Sequence, residues 1–141
     1  MTTTWASVDR DIIDTVESVI AQTIGPQAVT VDETGEFPAA GLAALAERGL
    51  GILQMDKSLG GAGASTSTYA EALARVSAAC GATSTVYMTQ MHAAHPIHLL
   101  GSPEQIDRWV PALCDGSAIG SIALTEMKMF HRVRLRQRSH A

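Results

Sequence analysis

The sequence predicts an all-α protein, a five-helix orthogonal or up-down bundle followed by one terminal β-strand. Three observations predict it. Apolar residues recur at helical spacing through most of the chain. Aromatic residues make up only 4%, so alanine, leucine, isoleucine and valine must fill the core, and such small side chains favour closely packed helices. A central segment, 82–100, holds no charged residue at all and reads as a helix surrounded by others.

The elements follow in order. From Trp5 to Ile24, the residues Trp5, Val8, Ile12, Val16, Val19 and Ile20 form a stripe that Ile13 and Ile24 widen, with Asp9, Arg10, Asp14 and Glu17 opposite. Gly25 and Pro26 are expected to end this helix, and the polar stretch 27–36 is expected to be loop. Pro38 suits the start of a second helix whose face is Leu42, Leu45 and Ala46 and whose stop is Gly49. A glycine-rich connection, 51–63, is expected to include a short extended piece at Ile52–Met55.

The third helix spans Ser65–Cys80, with Tyr69, Leu73, Val76 and Cys80 on one face, and Gly81 interrupts it. The fourth is the uncharged segment, with Pro96 inside it as a point of bending. The fifth has the strongest start signal. Ser102 caps, Pro103 takes the first position and Gln105 completes a capping box. Its stripe is Ile106, Trp109, Val110 and Leu113, and Gly116 closes it. Ile119–Thr125 is short, apolar and β-prone and reads as a strand with no partner in this chain, hence as the start of a further sheet.

Composition narrows the function. At 141 residues, with 46% hydrophobic and 17% charged residues, the chain fits one globular domain. No apolar run approaches the roughly 20 residues that span a bilayer, and Met1–Arg10 does not resemble a secretory signal. Cys80 and Cys114 are expected to be free buried thiols, and the expected compartment is the cytoplasm. Five of the ten Lys and Arg lie in the last 15 residues, which hold none of the 14 acidic residues, so residues 1–126 carry −9 and the tail +5. The acidic body argues against nucleic acid as the main partner.

The stretches Phe37-Pro38, Leu50-Gly51-Ile52 and Leu59-Gly60-Gly61-Ala62-Gly63 resemble, in order and spacing, the start of acyl-CoA dehydrogenases. So do His95 to Gln105 (HPIHLLGSPEQ), Trp109-Val110-Pro111-Ala112-Leu113 and Gly120 to Glu126 (GSIALTE). The resemblance covers about residues 5–126. It implies three regions: an N-terminal helical domain at 1–116, the first strand of a middle β-domain at 117–126, and a basic tail at 127–141 outside the family pattern. It implies FAD-dependent oxidation of acyl-CoA thioesters to trans-2-enoyl-CoA, with FAD as cofactor and acyl-CoA as substrate. Association into a homo-oligomer, or docking on another dehydrogenase chain, is the expected partnership. A helical module without catalysis, and a flavin-dependent monooxygenase or nitroalkane oxidase on the same scaffold, are the rival readings. After Glu126 the pattern stops, without the Ser-Asp turn that helps hold the FAD pyrophosphate, and a frameshift or gene truncation is the expected origin of the tail. The family's catalytic glutamate has no counterpart in this chain, so the fragment is expected to be inactive alone, and no catalytic residue is assigned.

The site residues that the resemblance implies are Ile122, Leu124 and Thr125 against the flavin ring, and Met88, Met91 and His92 along the acyl pocket. Ordinary core packing is the rival reading for the methionines. His92, His95 and His98 are spaced by three, but the outer two diverge by about 120° around a helix. No Cys, Asp or Glu stands close by in sequence, so a metal site is not expected. The glycines at 60, 61 and 63 lack the spacing of a phosphate loop.

Overall fold

A computed structural model of the chain describes residues 7–123. Among these the architecture is helical throughout: α1 (Arg10–Val19), a π-helical turn (Ile20–Ile24), α2 (Gly25–Thr34), α3 (Ala39–Glu47), a 3₁₀ turn (Lys57–Leu59), α4 (Thr66–Ala79), α5 (Gly81–Leu100) and α6 (Pro103–Cys114). Because α1, the π turn and α2 run on without a break, there are five rods, which is the all-α bundle that the sequence predicts. α5 is the middle rod, packed against α4 on one side and α6 on another, while α1 lies on α4.

Local chemistry sets most of the boundaries. The Asp9 carboxylate accepts the Asp11 and Ile12 amides and starts α1. Ser65 caps α4 through the Thr68 amide. Gly35 and Gly49, both with positive φ, close α2 and α3 where a residue with a Cβ would be strained. The capping box of α6 is complete: the Ser102 hydroxyl accepts the Gln105 amide at 3.3 Å and the Gln105 side chain accepts the Ser102 amide at 2.8 Å.

The core gathers Ile13, Val16, Val19 and Ile24 from the first rod, Leu42 and Leu45 from α3, Ala72 and Val76 from α4, Tyr87 and Met91 from α5, and Val110 and Leu113 from α6. Leu50 and, from the glycine-rich connection, Ile52, Leu53 and Met55 are also buried, and this stretch follows α3. It crosses the end of α6 so closely that a Cβ on Gly51 would collide with the Cys114 carbonyl.

Several expectations are corrected. Gly25 and Pro26 do not end the first helix, and 27–34 is helix rather than loop. The π turn shifts the hydrogen-bond register, with the Gly25 amide donating to Ile20, five residues back. The missing Pro26 donor therefore falls at the junction of two helical segments, where it costs little. Ile52–Met55 is bent and turned rather than extended, since its carbonyls serve the folded connection: Ala62 donates to the Ile52 carbonyl, Ala64 to that of Leu53 and Gly63 to that of Met55.

The buried face of α4 is Thr68, Ala72 and Val76, and Tyr69 and Leu73 flank it. Small residues let α4 approach its neighbours, and the Thr68 hydroxyl accepts the Asp9 amide at 2.9 Å. Trp109 of α6 is 41% exposed, with Arg108 over its ring, so Val110, Leu113 and Cys114 carry the packing instead. Residues 119–123 pair with no strand, as no second strand stands beside them among the described residues, and 124–126 lie outside the description, as does Trp5. No described helix is long and apolar enough to cross a membrane.

Candidate functional site: helix α5 and the segment that crosses it

Several polar side chains of α5 find partners without charge. Cys80 stands at its start in extended conformation and its sulfur accepts the Thr83 hydroxyl at 3.2 Å. Thr85 and Thr89 return their hydroxyls to the carbonyls of Gly81 and Thr85. Tyr87, 1% exposed, donates to the Leu50 carbonyl at 2.5 Å and so ties α5 to the glycine-rich connection. Burial, and secondarily Tyr69, raise its phenol well above the usual range, so this hydroxyl is a structural donor and not an acid at neutral pH.

After α6 the chain turns at Gly116 and returns across α5. The Asp115 carboxylate accepts the Ser117 amide at 2.8 Å, and the Ser117 side chain and amide hold that carboxyl below its ordinary range. The Ala118 amide then bonds the Ala112 carbonyl. At Gly120 the backbone meets α5 directly. Its amide donates to Gln90 Oε1 at 2.6 Å, and a Cβ there would stand 2.5 Å from the Ala93 Cβ. Gln90 is itself 4% exposed. Beneath the segment lies a small apolar cleft of about 200 Å³, bordered by Leu42, Ala46, Tyr87, Gln90, Leu113 and Ile119.

Of the residues expected along the acyl pocket, Met91 is 2% exposed and belongs to the core, Met88 is half-buried, and His92 is exposed. Met88 and His92 are four residues apart and share the outer side of α5, whereas Met91 points inward. Of the flavin-side residues, Ile122 is 38% exposed beyond the Gly120 contact, while Leu124 and Thr125 lie outside the described residues. The three histidines do not converge. His92 faces solvent, His95 places Nδ1 3.0 Å from the Met91 carbonyl, and the Nδ1 of His98 is buried without a partner among the described residues. No group of three potential metal ligands exists among those residues. Cys80 and Cys114 are free and buried. Burial and the adjacent Asp115 push the Cys114 thiol up to about 11.

Gln90 and Gly120 are the residues that sequence reasoning missed. Gln90 is the one amide side chain of α5, a signal too slight to mark it beforehand. The cleft's titratable group is a phenol already committed to a carbonyl, so this face can hold apolar groups and orient a chain segment.

The model of the acyl-CoA dehydrogenase N-terminal domain matches residues 7–117. A probable acyl-CoA dehydrogenase of Bacillus subtilis (strain 168) is 36% identical over 112 residues, which are 79% of this chain and 30% of that protein. The human mitochondrial short-chain specific acyl-CoA dehydrogenase is 35% identical over 119 residues, covering 82% of this chain and 28% of the relative. The crystal structure of glutaryl-CoA dehydrogenase from Mycobacterium smegmatis superposes with a TM-score of 0.71 at 34% identity, over 78% of this chain and 29% of that one. The chain thus spans less than a third of the length of these relatives.

Proposed function

The chain belongs to the acyl-CoA dehydrogenase family through that family's N-terminal domain, and from this premise we propose that it forms the helical wall of an FAD-dependent acyl-CoA dehydrogenase. In this reading the outer side of α5, with Met88 and His92, borders the acyl chain. Ile122 borders the flavin ring. The observation that carries the reading is the match of residues 7–117 to the family's N-terminal domain, with the segment after α6 tied to α5 at Gln90 and Ala93, on the side of the helix away from Met88 and His92.

The residues fit one side of such a site. Ile122 is apolar and accessible, which suits contact with a planar ring, and the wall around Gly120 is tightly packed. No residue is assigned to the pyrophosphate. FAD, when bound, supplies a hydride acceptor for the β-carbon of the thioester. What this chain's residues contribute is orientation and exclusion of water, by holding an apolar chain against Met88 and placing the flavin-side segment in a fixed register. The acceptor of the α-proton is assigned to no residue here.

The test is a fluorescence titration of FAD with the 141-residue chain, followed by an acyl-CoA. Saturable quenching is expected, weakened by Ile122→Asp and perturbed by the thioester. A chain that leaves FAD fluorescence unchanged at any attainable concentration would refute the reading and leave a helical module without cofactor.

A further inference from the structure

We propose that Gln90 is the positioning residue for the flavin-side segment, acting through Gly120. The inference rests on the function proposed above and adds to it the residue that sets the geometry of the wall. Three observations carry it. Gln90 is 4% exposed in the middle of an uncharged helix, where a buried side-chain amide is retained only at a cost unless it is bonded. Its Oε1 accepts one amide, that of Gly120, at 2.6 Å and across thirty residues of sequence. Gly120 in turn rests where a side chain has no room, with Ala93 and the Leu113 side chain facing the place of its absent Cβ.

Hydrogen bond and steric fit act in different directions. The small surface at Ala93 sets how deep the segment lies, and Gln90 sets where along α5 it stops. Two residues further on stands Ile122. A segment free to slide along α5 carries Ile122 away from its place. Without the Gln90 acceptor, the apolar contact at Ile122 would therefore be lost even though the helices stayed intact. Gln90 touches neither acyl chain nor flavin in this account. It holds the residue that does.

The experiment follows the Gly120 amide by NMR hydrogen exchange and FAD affinity by fluorescence titration, in the wild-type chain and three variants. Gln90→Leu keeps the volume and removes the acceptor. It should preserve the helical circular dichroism, speed Gly120 exchange, and weaken FAD binding about tenfold, the worth of one good hydrogen bond. Gln90→Glu keeps an oxygen in place and should restore both readouts, which a merely space-filling role would not require. Gly120→Ala sets a methyl against Ala93 and Leu113 while leaving Gln90 in place, and should reproduce the loss by lifting the segment, so the test stands even if Gln90→Leu fails to fold. The proposal is overturned if Gly120 is freed while FAD affinity holds, or if affinity falls while Gly120 stays protected. Absence of FAD binding by the wild-type chain would instead sink the underlying reading, and it is seen before any variant is made.

Discussion

From Gly81 to Ala94, α5 buries Tyr87, Gln90, Met91 and four smaller residues, whereas from His95 to Leu100 it buries none, and Leu99 and Leu100 are 71% and 86% exposed. Both halves lack charge and both are rich in apolar residues. They differ in depth. The helix as a whole packs against α4 and α6, its first half is tied to Leu50 through Tyr87, and its second half leaves Ile97 partly buried against the core on the way to the turn at Gly101. An uncharged helix is therefore not buried by virtue of its composition. It is buried as far as partners reach, and beyond them it presents apolar surface to whatever comes next.

The contrast can be broken most forcefully at Tyr87. Tyr87→Ala should cost about 3–5 kcal/mol, read from the urea midpoint at unchanged slope. Tyr87→Phe, which leaves the ring and orphans the Leu50 carbonyl, should cost about 1–3 kcal/mol. At the hairpin between the exposed half of α5 and α6, Ser102→Ala should cost about 1 kcal/mol, since it removes a cap and no buried contact. The pair Leu99→Ser and Leu100→Ser should change stability by less than about 0.5 kcal/mol each and reduce self-association measured by light scattering. A loss at Leu100 as large as that at Tyr87→Phe would show that the outer half has a partner within the domain after all.

The buried side also carries a pH dependence, absent at neutral pH. The folded state holds the Cys114 proton more tightly than the unfolded chain, with the thiol raised from 9.0 to about 11. The unfolded state thus ionises first, and stability falls as pH rises from about 9 to about 11. Cys114→Ala should flatten that decline by up to one proton, as followed by thermal melts across the range, and do nothing to the profile below pH 8.

How much of this was legible in the sequence depended on the range of the cause. The capping box of α6 and the glycine stops at Gly49 and Gly116 were readable because each is settled within a few residues. Of the face expected on α4, Val76 and Cys80 are buried and Tyr69 and Leu73 only flank it, because Thr68, bonded to the Asp9 amide fifty-nine residues away, takes the deeper place with Ala72. Helical spacing alone does not give the depth of Met91, which is 2% exposed, nor that of its neighbour His92, which faces solvent. Gln90 was illegible because its significance lies in the Gly120 amide, which only the folded chain brings to it.

The π turn at Ile20–Ile24 has a consequence for the rod that contains it. Along an uninterrupted α-helix, five residues rotate a side chain to about 140° from its starting direction. Val19 and Ile24 are five apart, and both are 2% exposed. The wider turn takes up the excess, so it behaves as a phase adjuster between two apolar stripes that would otherwise point different ways. Removing one residue there would rotate everything on one side by about 100° relative to the other. A single-residue deletion that a surface loop absorbs would here exchange the wet and dry faces of half the rod.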